Sequence, residues 1–315
     1  MLRNYGSHSL AYSCLQPRLD YFQNGGPGLI AYRRSLGVSV ALGDPLCTPE
    51  EIGELADAFL KERRGAAFAQ ISSRTAETLR KMGMYVTPMG VECEIDVQSF
   101  DIRGRKKQDL RHYRNKAIEG GVVVREEPDT SAIRESLSPI SDAWRKTKTV
   151  KAREIEFLAR PFSLTPEPDV RLFLGYVDEK PSAFVLFDPI YNQGECEGYS
   201  AAILRSHPTA PEGALDYIVM QAIEQFRQEG IGRLSLGLSP CYLVNDLART
   251  YGSGARPLLW AFSTLYSRGR VIYNCKSLSF HKKRYRPKEI PVYAASRGPV
   301  GLWAMLATLR ACRVF

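Results

Sequence analysis

Strand-like and helix-like stretches follow one another in the same order twice along this chain, and that alternation restricts it to the α/β class. In the first half, residues 29–42 give two short β-prone runs parted around Ser35 to Gly37, as in a hairpin. Thr48, followed by Pro49 and by Glu51 three residues on, marks a helix start. Ile52, Leu55, Ala56, Phe59 and Leu60 then recur at helical spacing as far as Arg63 and Arg64. Residues 65–71 read as a strand, 73–82 as a helix, and 91–97 alternate as a half-buried strand does. From Ser131 to about Leu158 the pattern is helical, and Pro161, Pro166 and Pro168 then punctuate a connector. The second half repeats the order. Strands are expected over 170–176, 182–190 and 199–204, then a helix over 215–228 with Ile218, Ala222 and Phe226 on one face, then a strand over 233–238. With 315 residues there is room for two such units, expected at 1–130 and 169–297, joined by a helical connector at 131–168.

Familiar catalytic strings are few. Arg227-Gln228-Glu229-Gly230-Ile231-Gly232 matches the R-x-x-G-x-G string with which acetyltransferases hold a pyrophosphate, but there the glycines open a helix. Here they close one, so a glycine C-cap is the reading to expect. Asn24 to Gly28 is a turn-rich loop without dinucleotide-binding spacing. His8, His112, His207 and His281 have no metal-ligand spacing, and G-x-S-x-G and P-loop strings are missing. Seven cysteines form an odd set without a C-x-x-C pair, which fits a reducing cytoplasm better than a disulfide framework. No stretch reaches the ~20 apolar residues of a spanning helix. Residues 1–10 lack the apolar run of a signal peptide, so a soluble or peripheral protein is expected.

Charge is the more telling feature. Lysine and arginine outnumber aspartate and glutamate by 43 to 34, and the excess is localised. Residues 101–116 hold seven basic residues against two aspartates, with Leu110, Tyr113 and Ala117 as the buried stripe of a helix. Residues 145–153 hold five and no acid; residues 268–288 hold eight and no acid, with Tyr273, Phe280 and Tyr285 interleaved. Three such runs suit a surface that tracks a nucleic-acid backbone. Residues 299–315 form a helix with Trp303, Leu306 and Leu309 close together and Arg310 and Arg313 as its charges. It is suited either to a membrane interface or to docking on the core.

The stretches 42–45, 90–100, 106–120, 199–216, 234–240 and 273–293, in this order and spacing, resemble the soluble domain of lysyl- and alanyl-phosphatidylglycerol synthases, the multiple peptide resistance factor family, over most of 37–295. The resemblance implies tandem acetyltransferase-like (GNAT) units with mixed sheets, followed here by the amphipathic helix at 298–315. It implies an aminoacyltransferase that takes an amino acid from aminoacyl-tRNA to an acceptor hydroxyl, typically of phosphatidylglycerol, with no coenzyme A, metal or organic cofactor. The partners implied are aminoacyl-tRNA and either an anionic membrane surface, at the inner face of the cytoplasmic membrane, or a small hydroxyl compound. The family's multi-helix membrane region has no counterpart in this sequence, which keeps both acceptors open. The family's S-x-D-L-M-R strand resembles Ser200 to Arg205. Arg205 is kept, but the acid position is Ala202, so Glu195, Glu197 or Asp216 is expected to stand in. The family's R-R-F-K-x-K-F-x-P stretch resembles Ser279 to Pro287, with Lys282, Arg284 and Tyr285 matching and Ser279 and Phe280 departing. The catalytic residues expected are Arg205, Asp44, His207 and Asp216. Contacts to tRNA are expected from Arg105, Lys106, Lys107, Arg111, Asn115, Lys116, Lys282, Lys283 and Arg284, and acceptor contacts from Ser200, Tyr273 and Asn274. A coenzyme A dependent N-acyltransferase and a non-catalytic tRNA-binding module are the alternatives.

Overall fold

The strands expected from alternation are present in the computed structural model, which describes residues 1–147, 154–252, 254–268 and 274–315. The first half runs through α1 (Leu2–Tyr5), β1 (Asp20–Phe22), β2 (Ile30–Ser35), β3 (Val38–Leu42), α2 (Ile52–Glu62), β4 (Ala66–Ile71), α3 (Ser73–Lys81) and β5 (Tyr85–Asp96). Then come α4 (Gln108–Glu119), β6 (Val123–Glu127) and α5 (Ser131–Lys146). The second half has β7 (Arg171–Val177), β8 (Lys180–Asn192), β9 (Glu195–Ser206), α6 (Ala214–Gln228) and β10 (Arg233–Pro240). After it follow α7 (Val244–Tyr251), α8 (Arg256–Arg268), α9 (Cys275–Lys283), β11 (Lys288–Ser296) and α10 (Leu302–Ala311).

All the described strands join one mixed sheet in the order β1-β2-β3-β4-β11-β5-β10-β9-β8-β7-β6. A strand, a crossover helix and a parallel strand occur once in each half: β3, α2 and β4, then β9, α6 and β10. The remaining neighbours are antiparallel. The α/β class and the mixed sheet are therefore as expected. A division at 130, 168 and 297 remains a proposal, and four strand pairings cross it, β5 with β10 among them. β6 hydrogen-bonds to β7, and β11 lies between β4 and β5.

Helices cover both faces of the sheet. On one face, α4 and α6 close over the strands of the second half, with Phe226 of α6 at the centre. Its ring stacks on Tyr199 at 4.7 Å and meets Phe173 and Phe187 edge-on. Truncating so enclosed a ring to alanine removes about 3–5 kcal/mol. On the other face, Leu137 and Ile140 of α5 pack with Leu172, Phe184, Leu186 and Ile203.

Two expectations need correction. The helix expected over 131–158 ends at Lys146, and Glu154 to Leu158 are not helical. Their main chain is drawn to other partners: Phe157 N donates to Gln16 Oε1 at 2.6 Å, Gln16 Nε2 donates to Phe157 O at 2.9 Å, and Phe157 sits at φ +72°. The connector's acids and arginines then pin it. Glu156 takes Arg33 at 2.8 Å, and Arg160 forks onto buried Asp188 at 2.9 and 2.5 Å. At the other start signal, Thr48 does not cap a helix. Its N–H and hydroxyl both donate to Glu51 at 3.0 and 2.8 Å, and α2 begins only at Ile52.

Candidate active site

Strands β9 and β10 are paired only from Gly198 to Ser200 against Arg233 to Ser235. Beyond that point β9 stays with β8 and β10 with β5, so the sheet opens into a mouth between two parallel strands. Buried Ser200 and Ser235 mark its base. The crossover helix α6 starts beside this mouth. Gly213 precedes it at φ +83°, where any Cβ would overlap the Tyr113 carbonyl of α4. Only glycine supplies both the conformation and the clearance.

Asp216, in the first turn of α6, is buried and lies where the helix dipole favours an anion. It accepts a hydrogen bond from Tyr285 Oη at 2.7 Å and faces Arg284 Nη2 at 3.4 Å and His281 Nε2 at 3.6 Å. The Arg284 guanidinium lies over the Tyr113 ring at 4.1 Å, and Tyr285 stacks between Phe100 and His281. Burial and the Asp216 carboxylate together push the Tyr285 phenol well above its ordinary value. Burial lowers His281.

A second group stands where β10 leaves β9. Ser235 Oγ donates to Glu92 Oε1 of β5 at 2.8 Å and accepts from Gly237 N at 2.9 Å. Lys282 Nζ donates to Leu238 O at 2.7 Å and lies 3.6 Å from where a Cβ on Gly237 would be. Burial pushes this amine down to about 8, against the pull of nearby Cys93 and Glu92. Segment 281–285 thus seats a lysine against β10 and a tyrosine against α6.

Of the expected site residues, Asp216, Lys282, Arg284 and Ser200 are brought to this mouth. His207 lies in the loop from β9 to α6, its Nδ1 2.7 Å from Thr209 Oγ1 and accepting from Thr209 N at 3.3 Å. Arg205 turns the other way, onto α5. Its guanidinium bonds Ser141 and Glu154 and lies over Trp144 and Phe162 at 4.9 and 5.5 Å, with Nε unpaired among the described residues. Asp44 joins the ends of β3 and β4 by accepting from Ser72 N at 2.8 Å. Asn274 caps α9 by accepting from Ser277 N at 3.1 Å. Tyr273 lies outside the described residues, as do 148–153 of the second basic cluster and 269–273 of the third.

The first and third basic clusters meet. Arg286 Nε donates to Lys106 O at 3.3 Å, and Arg105, Lys106, Lys283 and Arg286 are exposed around that contact. Lys107 and Arg111 are used internally: Lys107 Nζ donates to Asp101 O over the Phe100 ring, and Arg111 Nη1 donates to Ile102 O and Gly104 O at 2.6 and 2.7 Å. Asn115 accepts from Arg114, and Lys116 pairs with Glu119 at 3.6 Å. The R-x-x-G-x-G string closes α6 as expected, with Gly230 at φ +79° and Ile231 N donating to Phe226 O at 2.9 Å. Grooves of about 530 Å³ at Arg80, Tyr85 and Tyr251, and of about 400 Å³ at Asn245, Arg249 and Arg256, hold none of the site residues.

Glu92, Ser235, His281 and Tyr285 were not expected here. One signal was legible: in residues 91–97 the apolar side chains alternate with Glu92, Glu94 and Asp96, which sets three acids on one face of a strand.

Comparison with known proteins agrees with this fold. Phosphatidylglycerol lysyltransferase of Bacillus subtilis is 24% identical over 303 residues, covering 94% of this chain and 34% of that protein. The lysylphosphatidylglycerol biosynthesis bifunctional protein LysX of Rhodococcus opacus is 26% identical over 313 residues, covering 92% of this chain and 26% of its own length. The chain thus spans about a third and about a quarter of these two relatives. The structure of L-PGS from Bacillus licheniformis superposes with a TM-score of 0.81 at 21% identity, over 99% of this chain and 94% of that one. The family described as "Phosphatidylglycerol lysyltransferase, C-terminal" matches residues 1–296, and the chain belongs to that family.

Proposed function

We propose that the protein is an aminoacyl-tRNA-dependent aminoacyltransferase that moves an amino acid onto a lipid hydroxyl, with phosphatidylglycerol as the acceptor. The observation that carries this reading is the meeting of two distant basic clusters beside the β9/β10 mouth. Exposed Arg105, Lys106, Lys283 and Arg286 would take tRNA phosphates there, where screening sets their strength. The names of the relatives support an acyl acceptor of the phosphatidylglycerol type.

In this reading the acceptor hydroxyl attacks the ester carbonyl, a new ester bond forms, and the bond to the tRNA ribose oxygen breaks. The proton lost by the acceptor ends on that ribose oxygen, so the exchange needs no other reactant. Lys282 would hold the oxyanion, because an ammonium fixed by Leu238 O is already oriented when charge develops. Asp216 and Arg284 would hold the aminoacyl end at the start of α6, and Ser200 would line the acceptor side. His207 is the candidate base: its Nδ1, 2.7 Å from Thr209 Oγ1, would take the acceptor's proton by way of the Thr209 hydroxyl. Arg205 would be a positioning residue that holds α5 on β9, and Asp44 one that holds β3 to β4. The working place would be the cytoplasmic face of the membrane. Among the described residues no helix is long and apolar enough to cross it.

The test is incubation of the protein with a pool of charged tRNAs and phosphatidylglycerol vesicles, following loss of the tRNA ester and the appearance of aminoacylated lipid. Ester loss with no lipid product, but with a product from a soluble alcohol, would move the acceptor. Unchanged ester in every mixture would refute the transferase.

A further inference from the structure

Where β2 turns into β3, the sheet presents an apolar tip. Leu36 is 41% exposed, and its carbonyl accepts from Trp303 Nε1 of α10 at 3.0 Å. Trp303 is 59% exposed, and Val300 and Leu306 beside it in sequence are 51% and 37% exposed. Trp303, Leu306 and exposed Arg310 recur at i, i+3 and i+7, one stripe of α10, while Ala307 and Ala311 face the core. Helix α10 is therefore docked through one apolar face, and a second one, with Trp303 and Leu306, is left in water. The amphipathic helix expected over 298–315 is instead a ten-residue helix apolar on both sides. Arg297 Nη2 bonds Leu60 O at the end of α2, and Gly65, next to exposed Arg64, abuts Gly37 of the turn. Glu62 nearby is paired with Arg63 at 2.8 Å.

We propose that this tip docks into the headgroup layer of an anionic bilayer. The indole N–H is already satisfied by Leu36 O, so the ring can leave water without orphaning a donor. Leu36, Val300 and Leu306 are aliphatic, which suits acyl chains and gives a nucleic acid neither a stacking face nor a hydrogen bond. The charge is complementary to anionic lipid: on the segments that form or adjoin the tip, Arg34, Arg64, Arg297 and Arg310 are exposed, and Glu62 is already paired with Arg63. A lipid acceptor, as proposed above, would give this contact its use, while the binding itself needs neither tRNA nor turnover.

Flotation of the full chain with phosphatidylcholine vesicles, with and without phosphatidylglycerol, tests it directly. Binding should require phosphatidylglycerol, and the double change Val300→Asp and Leu306→Asp should weaken it at least about tenfold. Trp260→Ala, on exposed α8, should leave it unchanged. Emission of Trp303 in the otherwise unaltered chain should be quenched by brominated acyl chains, and Trp303→Phe should abolish that quenching, a readout that does not depend on the double variant folding. No flotation, flotation untouched by the double variant, or absence of Trp303 quenching overturns the proposal. So does tRNA binding that is lost in the double variant, which would assign the tip to RNA. Vesicle binding without aminoacyl transfer would refute the transferase and leave the tip standing; transfer to a soluble alcohol without vesicle binding would do the reverse.

Discussion

Replacing Lys282 with methionine should make the protein more stable and inactive. The amine sits against β10 with one hydrogen bond to Leu238 O, and burial pushes it down to about 8 from the ordinary lysine value. A base lowered on folding is disfavoured in its charged form. The unfolded chain therefore binds the proton more tightly, and stability rises with pH between about 8 and the unfolded lysine pKa of roughly 10.4. Below that window the penalty is complete, on the order of 3 kcal/mol at pH 7 by linkage, falling to about 1 kcal/mol at pH 9.5. Methionine has no such penalty and keeps the packing, but gives up a hydrogen bond of about 1 kcal/mol. At pH 7 Lys282→Met should then gain about 2 kcal/mol, or roughly 3 °C for a chain of this length. At pH 9.5 the gain should vanish. Denaturant melts of both proteins at the two pH values check it, beside the transfer assay. A difference between the two proteins that does not change with pH would refute the argument, whatever its sign. Retained transfer by the variant would remove Lys282 from the oxyanion role.

Arg205→Ala should destabilise by about 3–5 kcal/mol, because it leaves the Glu154 carboxylate and the aromatic pair Trp144 and Phe162 without the guanidinium between them. Thermal melting separates that loss from a catalytic one, in which the melting temperature would stay where it is. Gly213→Ala should be worse than the ~1 kcal/mol of an ordinary glycine change, since its Cβ overlaps Tyr113 O at a positive φ; loss of soluble expression or a large drop in melting temperature is the readout. Changing Arg105, Lys106, Lys283 and Arg286 to glutamine should weaken tRNA binding and lower its salt slope by about one for each phosphate no longer neutralised, measured by titration over a range of salt. Asp216→Asn should cost on the order of 2 kcal/mol by weakening the bonds to Tyr285 and Arg284, with the change in denaturant midpoint as the measure.

What the sequence made legible is what short-range pattern encodes. The second part of β5 alternates, β8 holds a continuous apolar run buried on both faces, and helices such as α2 and α6 carry their burial period in the chain itself. Helices α7 and α9 do not stand out in that way. Leu243 precedes α7 in a left-handed conformation with no side-chain cap, and α9 buries only Cys275 and Ser279. The site was legible by charge at Asp216, Lys282 and Arg284. Sequence could not show that Lys107 and Arg111 are consumed by the carbonyls of Asp101, Ile102 and Gly104, because that depends on how a loop folds back on its helix. Arg205 shows the same limit from the other side. A strand arginine has two faces to choose from, and its partners Ser141 and Glu154 lie more than fifty residues away.

The mouth itself follows from the way the two halves share strands. β5 leaves the first half after α3 and pairs with β10, and β11 follows α9 and inserts between β4 and β5. Without β5, β10 would lose its partner over the stretch where it has left β9, and its main chain would be an open edge. Instead β5 holds β10 away from β9 and brings Glu92 to Ser235, while the chain leading into β11 carries Lys282 to Leu238. Lys282, Glu92 and Ser235 therefore come from three strands' neighbourhoods that no contiguous unit of the chain contains. A fragment ending after β10 would lack Lys282, and one beginning at β7 would lack Glu92. On the reading proposed above, neither should transfer an amino acid even if each folded, and mixing them should restore transfer only if β11 of the piece beginning at β7 can enter between β4 and β5 of the other.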